Sequence, residues 1–169
     1  VWRYEYDPAG NLVRETDFNG RVLTYRHDAA GRLVERVNGA GQTATFTRDA
    51  LGNIIERRCG DAVTTIEYDE LGRITRARNA DAELSYTRDP LGRVLAETIN
   101  GRSVASTYDA LGRRVRRYTP TGAITSWEYD AASRPTRLTA GGRVTAFDYD
   151  AAGHESSRST GDLVLGQSW

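Results

Sequence analysis

The chain has 169 residues, 38% of them apolar, with 23 basic and 23 acidic residues. That balance excludes the basic excess of a nucleic-acid binder, and no apolar run approaches the roughly 20 residues that span a bilayer. The single cysteine, Cys59, excludes an intrachain disulfide and, with only two histidines, a familiar zinc site. Every basic residue is arginine, a rigid bidentate partner for carboxylates, so cross-strand Arg–Asp or Arg–Glu pairs are expected. Exposed pairs of that kind contribute about 0–1 kcal/mol each and tune register more than stability. The chain starts at Val1 rather than Met, which suggests a piece of a longer polypeptide.

Along the chain one turn returns eight times, at Asp7, Asp28, Asp49, Asp69, Asp89, Asp109, Asp130 and Asp150, always 20 or 21 residues apart. Glycine follows three positions later at Gly10, Gly31, Gly52, Gly72, Gly92, Gly112 and Gly153, and Ser133 replaces it once. A fixed period over the whole chain means one supersecondary unit copied in tandem. The turn at Asp28 shows how the unit is built. The aspartate carboxylate accepts backbone amides and the glycine supplies the left-handed conformation. A strand over 33–37 follows, then a second turn at Asn38-Gly39-Ala40-Gly41, then a strand over 43–47 that leads to Asp49. The second turn recurs at Asn19-Gly20, Cys59-Gly60-Asp61, Asn79-Ala80-Asp81, Asn100-Gly101, Pro120-Thr121-Gly122 and Gly141-Gly142. Its variable length accounts for the drift of the period. No segment carries a sustained 3.6-residue apolar stripe, so no helix is expected.

Residues one, three and five positions before each aspartate share a strand face, because side chains alternate with period two. That face reads Trp2-Tyr4-Tyr6, Leu23-Tyr25-His27, Ala44-Phe46-Arg48 and Thr64-Ile66-Tyr68 in the first half. It continues as Leu84-Tyr86-Arg88, Val104-Ser106-Tyr108, Thr125-Trp127-Tyr129 and Thr145-Phe147-Tyr149. Twelve of the fifteen aromatic residues fall there, and the alternate positions are polar. The fold class is therefore all-β: tandem antiparallel β-hairpins of about 20–21 residues, in a single array over 1–169. About sixteen strands roughly 4.8 Å apart give a ribbon on the order of 75 Å wide. A flat sheet of that width exposes its aromatic ladder and two edges, so the ribbon is expected to curl, sandwich or continue into further repeats. Two units also match the size of a propeller blade, but the pattern repeats at 20 rather than 40.

None of the polar residues stands out from the repeat as a catalytic, metal or cofactor site. The eight aspartates each sit in their own turn, without the clustered carboxylates of a calcium site. Glu5, Glu67, Glu128 and Asp148 occupy repeat-equivalent positions on the polar face rather than forming a hydrolytic pair. His27 takes the slot held by Tyr6, Tyr68 and Tyr108, His154 the slot held by Arg32 and Arg73, and Cys59 the place of a turn asparagine, expected to be exposed. The last three units decay: Arg114, Pro135 and Glu155 replace the aliphatic residue after the turn. A less regular C-terminal end is expected there, with Pro135 at an edge or bulge.

The turns Tyr6-Asp7-Pro8-Ala9-Gly10-Asn11-Leu12, Tyr68-Asp69-Glu70-Leu71-Gly72-Arg73-Ile74 and Tyr108-Asp109-Ala110-Leu111-Gly112-Arg113 resemble the YD repeats of Rhs proteins, of the C subunits of insecticidal toxin complexes and of teneurins. The resemblance runs from Val1 to about Ser159. It implies a spiral β-strip that forms part of a hollow shell around a C-terminal toxin. The Rhs core that ends such shells, with its Asp-Pro self-cleavage motif, is not found: Asp7-Pro8 and Asp89-Pro90 lie in ordinary turns. Residues 162–169 carry no toxin domain. What the resemblance implies is a noncatalytic wall segment of an exported bacterial protein, secreted or at the cell surface. Its partners would be an enclosed passenger and the rest of its own shell. The alternative is a surface module that recognises a glycan or a cell-surface protein through its aromatic face. An aromatic ladder equally serves to pack a sheet, where each cross-strand neighbour contributes roughly 0.2–1 kcal/mol.

Overall fold

The computed structural model describes residues 1–166, and the chain divides into two compact units, Val1–Ser85 and Tyr86–Trp169. The first holds β1 (Arg3–Tyr6), β2 (Leu12–Thr16), β3 (Val22–His27), β4 (Leu33–Val37), β5 (Thr43–Arg48), β6 (Ile54–Cys59), β7 (Ala62–Tyr68) and β8 (Ile74–Arg78). The division falls within β9 (Glu83–Arg88). The second unit holds β10 (Val94–Ile99), β11 (Arg102–Tyr108), β12 (Arg114–Tyr118), β13 (Ile124–Tyr129), β14 (Pro135–Ala140), β15 (Arg143–Tyr149), β16 (Glu155–Thr160) and β17 (Leu163–Gly166). The described residues contain strands and turns alone, as the absence of a helical stripe requires, and no helix long and apolar enough to cross a membrane.

In each unit the strands pair antiparallel in chain order, so the fold is a strip of tandem hairpins. The drift of the period has a concrete origin. Turns at Asp17, Asn38 and Thr119 close a three-residue loop, with the first residue's amide donating to the carbonyl four positions on and a left-handed glycine at the third loop position. Those units are 21 residues long. Where the loop is two residues, as at Gly60-Asp61 between the paired Cys59 and Ala62 or at Asn100-Gly101 between Ile99 and Arg102, the unit is 20.

Three features depart from the sequence reading. There are seventeen described strands rather than sixteen: after the two-residue turn at Gly161, residues Leu163–Gly166 pair with β16 as the second strand of its hairpin. The remainder of the tail, 167–169, lies outside the described residues. The C-terminal units also keep their regularity. Asp130 and Asp150 close their turns with the same two backbone hydrogen bonds as the rest, and Ser133 adopts a left-handed φ of 64° in the glycine slot. Finally, the aromatic face is not a covered core. Ala44, 5% exposed, is the one buried residue among those described, while Trp2, Tyr4 and Tyr6 of β1 are 47–61% exposed.

Every hairpin that closes at an aspartate turn and whose register is defined carries a β-bulge just before the turn. Glu5 opposes Arg14 while Tyr6 opposes Leu12, and the same shift recurs at His27, Arg48, Tyr68, Tyr108, Tyr129 and Tyr149. The hairpins that close at the other end run without a shift. A bulge adds one residue to one strand, bends it and increases its local twist. Pro135 opposes Tyr129 at such a bulge and opens its strand, positions where a missing N–H does not interrupt a ladder.

Candidate functional site

Each aspartate turn is a type I turn followed by a left-handed residue, the three-residue hairpin loop. Asp109 illustrates the bonding. Its amide donates to Arg113 O, and Gly112 donates back to Asp109 O. Its Oδ1 accepts the amides of Leu111 and Arg113 at 3.0 and 2.9 Å, and its Oδ2 accepts Arg113 Nε at 2.7 Å. Both carboxylate oxygens are thus used inside the turn. Asn11 and Asn53 replace the arginine Nε with an amide at 2.9 Å, and His154 places Nδ1 3.2 Å from Asp150. These bonds favour the ionised carboxylate. The side-chain hydrogen bond from Asn11 holds Asp7 below the usual aspartate value, and that from Asn53 does so for Asp49. The backbone amides of Arg32, Arg73, Arg134 and His154 are the main cause at Asp28, Asp69, Asp130 and Asp150. At Asp89 and Asp109 partial desolvation pulls upward, yet the bonds from Arg93 and Arg113 outweigh it and the net shift is downward.

The same side chains stitch one repeat to the next. Tyr68 donates its hydroxyl to Ile54 O at 2.9 Å, in the strand that leaves the preceding turn. Tyr108 does so to Val94 O, Tyr129 to Arg114 O and Tyr149 to Pro135 O, at 2.7–2.9 Å. From the other direction, an arginine four positions after the aspartate lies over the next tyrosine ring in three repeats: Arg93 over Tyr108, Arg113 over Tyr129 and Arg134 over Tyr149, at 4.7–5.1 Å. Arg93 and Arg113 also donate Nη1 to the next aspartate carbonyl, at 3.2 and 3.0 Å. The glycine admits this approach. A Cβ at Gly52 would meet Arg32 Nη1 at 3.2 Å, and one at Gly31 would meet Asn11 Oδ1 at 3.0 Å. Tyrosine, aspartate, glycine and arginine therefore form a seam along the aspartate edge, with the tyrosine and arginine contacts together from Arg93 to Tyr149.

Residues that break the motif are explained by the seam. Arg48, in a tyrosine slot, donates Nη2 to Leu33 O at 3.2 Å, the carbonyl a tyrosine hydroxyl would reach. His27 is too short for that bond, and its Nδ1 is buried without a partner. Cys59 is half-buried at the end of β6 rather than exposed in a turn, because its loop contracts to Gly60-Asp61. The acids of the polar face meet arginines across the strand: Glu5 with Arg14 at 3.8 Å, Glu67 with Arg76 at 3.9 Å and Glu128 with Arg137 at 3.9 Å. Asp148 accepts the Ser157 hydroxyl at 2.6 Å. Among the described residues no three His, Cys, Asp or Glu side chains are grouped to hold a metal ion.

The RHS repeat model matches residues 1–22, 6–43, 27–64, 88–124, 108–141 and 129–162. The chain belongs to the RHS repeat family. Among solved structures, this RHS repeat chain is similar to the crystal structure of TcdB2-TccC3-Cdc42, with 17% identity over 99% of this chain and 10% of that one and a TM-score of 0.80. TcdB2-TccC3-TEV matches 88% of this chain and 10% of the other at 17% identity and a TM-score of 0.73. A Photorhabdus luminescens Tc holotoxin pore with a TccC3 mutation matches 93% of this chain and 12% of the other at 14% identity and a TM-score of 0.69. At these identities the likeness is one of fold, and the chain spans about a tenth of the chains it matches. No curated protein matches it.

Proposed function

We propose that this RHS-type shell segment serves as a noncatalytic wall that isolates a passenger polypeptide, a toxin in the simplest case, within an exported bacterial protein. The observation that carries the reading is the seam: tyrosine hydroxyls at four repeats and arginines at three hold adjoining repeats together, so the chemistry of the motif is spent on cohesion between repeats. The polar-face acids support a structural role, since each one named above is engaged with an arginine or a serine on the neighbouring strand. Similarity of fold to Tc complex structures supports the same reading.

The test is limited proteolysis of the polypeptide that carries this array, with and without Tyr108→Ala and Tyr129→Ala. A passenger that resists protease in the native protein and is digested once the seam is opened supports encapsulation. A passenger digested equally in both overturns it. The second reading, a glycan-binding module, draws on the exposed ring stack of Trp2 and Tyr4, 6.1 Å apart. A glycan-array signal lost in a folded Tyr25→Ala, Tyr86→Ala, Trp127→Ala variant would favour that module.

A further inference from the structure

The zero net charge of the chain conceals an imbalance between its two faces in the first unit. On the polar face three guanidiniums meet carboxylates on neighbouring strands: Arg14 with Glu5 at 3.8 Å, Arg26 with Glu35 at 3.3 Å, and Arg76 with Glu83 at 2.7 Å. On the aromatic face, register places Arg36 opposite Tyr25 and Arg57 opposite Phe46. Neither guanidinium meets a carboxylate or any other hydrogen-bond acceptor among the described residues. Between them lies Ala44, opposite Arg36 on one side and Cys59 on the other. Its small side chain leaves a depression of about 580 Å³ that both arginines line, with Gln42, Thr43 and Cys59 on the rim. The acid on this face of the first unit, Glu15, accepts the Tyr25 hydroxyl at 3.0 Å, whereas its counterpart in the second unit, Glu97, shares a depression with Arg114 and Arg117.

We propose that the depression over Ala44 binds the carboxylates of an extended, acidic polypeptide. The inference rests on the wall reading above and assigns the passenger a chemistry. A planar guanidinium fork matches a carboxylate, and the rings of Tyr25 and Phe46 supply apolar surface beside it. Arg36 and Arg57 stand two strands apart and two residues offset, a separation on the order of 12 Å. An extended chain covers that distance in about three or four residues. The matching ligand therefore carries acids three or four positions apart.

The probe is a fluorescein-labelled peptide of about twelve residues, with glutamate at every third position among glycine, serine and tyrosine, titrated into the full chain at low salt by fluorescence anisotropy. Saturable binding is expected, falling as salt screens the charges. Arg36→Gln with Arg57→Gln should weaken it by at least about tenfold, and Arg14→Gln with Arg76→Gln, on the other face, by less than about twofold. Replacing the peptide's glutamates with glutamine tests the same contact without altering the protein, and should also weaken binding at least about tenfold. Equal loss in the control pair, undiminished binding of the glutamine peptide, or full displacement by millimolar inorganic phosphate each overturns the proposal. If passenger protection in the proteolysis experiment persists while peptide binding fails, only the acidic preference falls.

Discussion

The two edges of the strip are built to different rules. At the aspartate edge all eight turns share one backbone geometry, down to a serine forced into the left-handed slot. At the opposite edge the turns alternate between two-residue and three-residue loops, with Asp17, Asn38, Asn79 or Thr119 as the first residue in some and a plain glycine pair in another. The difference lies in what each turn touches. Aspartate-edge turns hydrogen bond and stack on the next repeat. At the other edge the side-chain hydrogen bonds at Asp17, Asn38, Asn79 and Thr119 stay within a single turn. A turn whose side chains bond to its neighbour is held constant, and a turn whose side-chain bonds stay internal varies.

The largest expected effect on this contrast is acidification. Each seam aspartate has a folded pKa below its unfolded value, so its contribution is fully present above about pH 4 and is lost as pH falls through the lowered value. Asn38, Asn79 and Thr119 do not titrate in this range. At pH 2.5–3, hydrogen exchange corrected for intrinsic rates should release the amides of Leu111 and Arg113 before those of Ala40 and Gln42. Simultaneous release from both edges would contradict the assignment.

A smaller effect separates two glycines of similar φ. Gly20 and Gly31 both sit at left-handed φ, 78° and 73°, but only Gly31 faces a neighbouring side chain at 3.0 Å. Alanine at Gly20 should cost about 1–2 kcal/mol in urea unfolding, the left-handed penalty alone. Gly31→Ala should cost more, because Asn11 must give way and weaken its bond to Asp7. Equal costs would mean that the seam does not constrain the glycine.

The smallest effect is a pair of tyrosines. Tyr108→Phe removes the hydroxyl bond to Val94 O and should cost about 1 kcal/mol. Tyr118→Phe, near the varied edge, should change stability by less than about 0.5 kcal/mol. Matching costs would place the hydroxyl's value elsewhere than in the stitch between repeats.

Much of this architecture is legible in the sequence. Asp and Gly at fixed spacing specify a turn by local chemistry, and loop length predicts the 20-versus-21 period because one loop residue is one residue of period. Parity places Tyr25 and Phe46 on one face. What parity cannot convey is the bulge, which resets the count between the two strands of a hairpin without altering the pattern within either. The stitch is equally hidden: Tyr68 and Ile54 belong to different repeats, so no single unit read alone brings them together. The charge on the aromatic face is missed for a related reason. Arg36 and Arg57 lie on strands that leave the aspartate turn, and their facing follows from register rather than from the aromatic pattern.

The two-residue loop at Ala80-Asp81 shows what the free edge permits. Its neighbours Arg78 and Glu83 are already paired on either side, so the ladder does not depend on the path between them. Closure entropy rises by only about 0.6 kcal/mol for each doubling of loop length. Each repeat thus behaves as a tile with one glued margin and one open margin, and the open margins form a row of grafting points where added segments leave the tiling undisturbed.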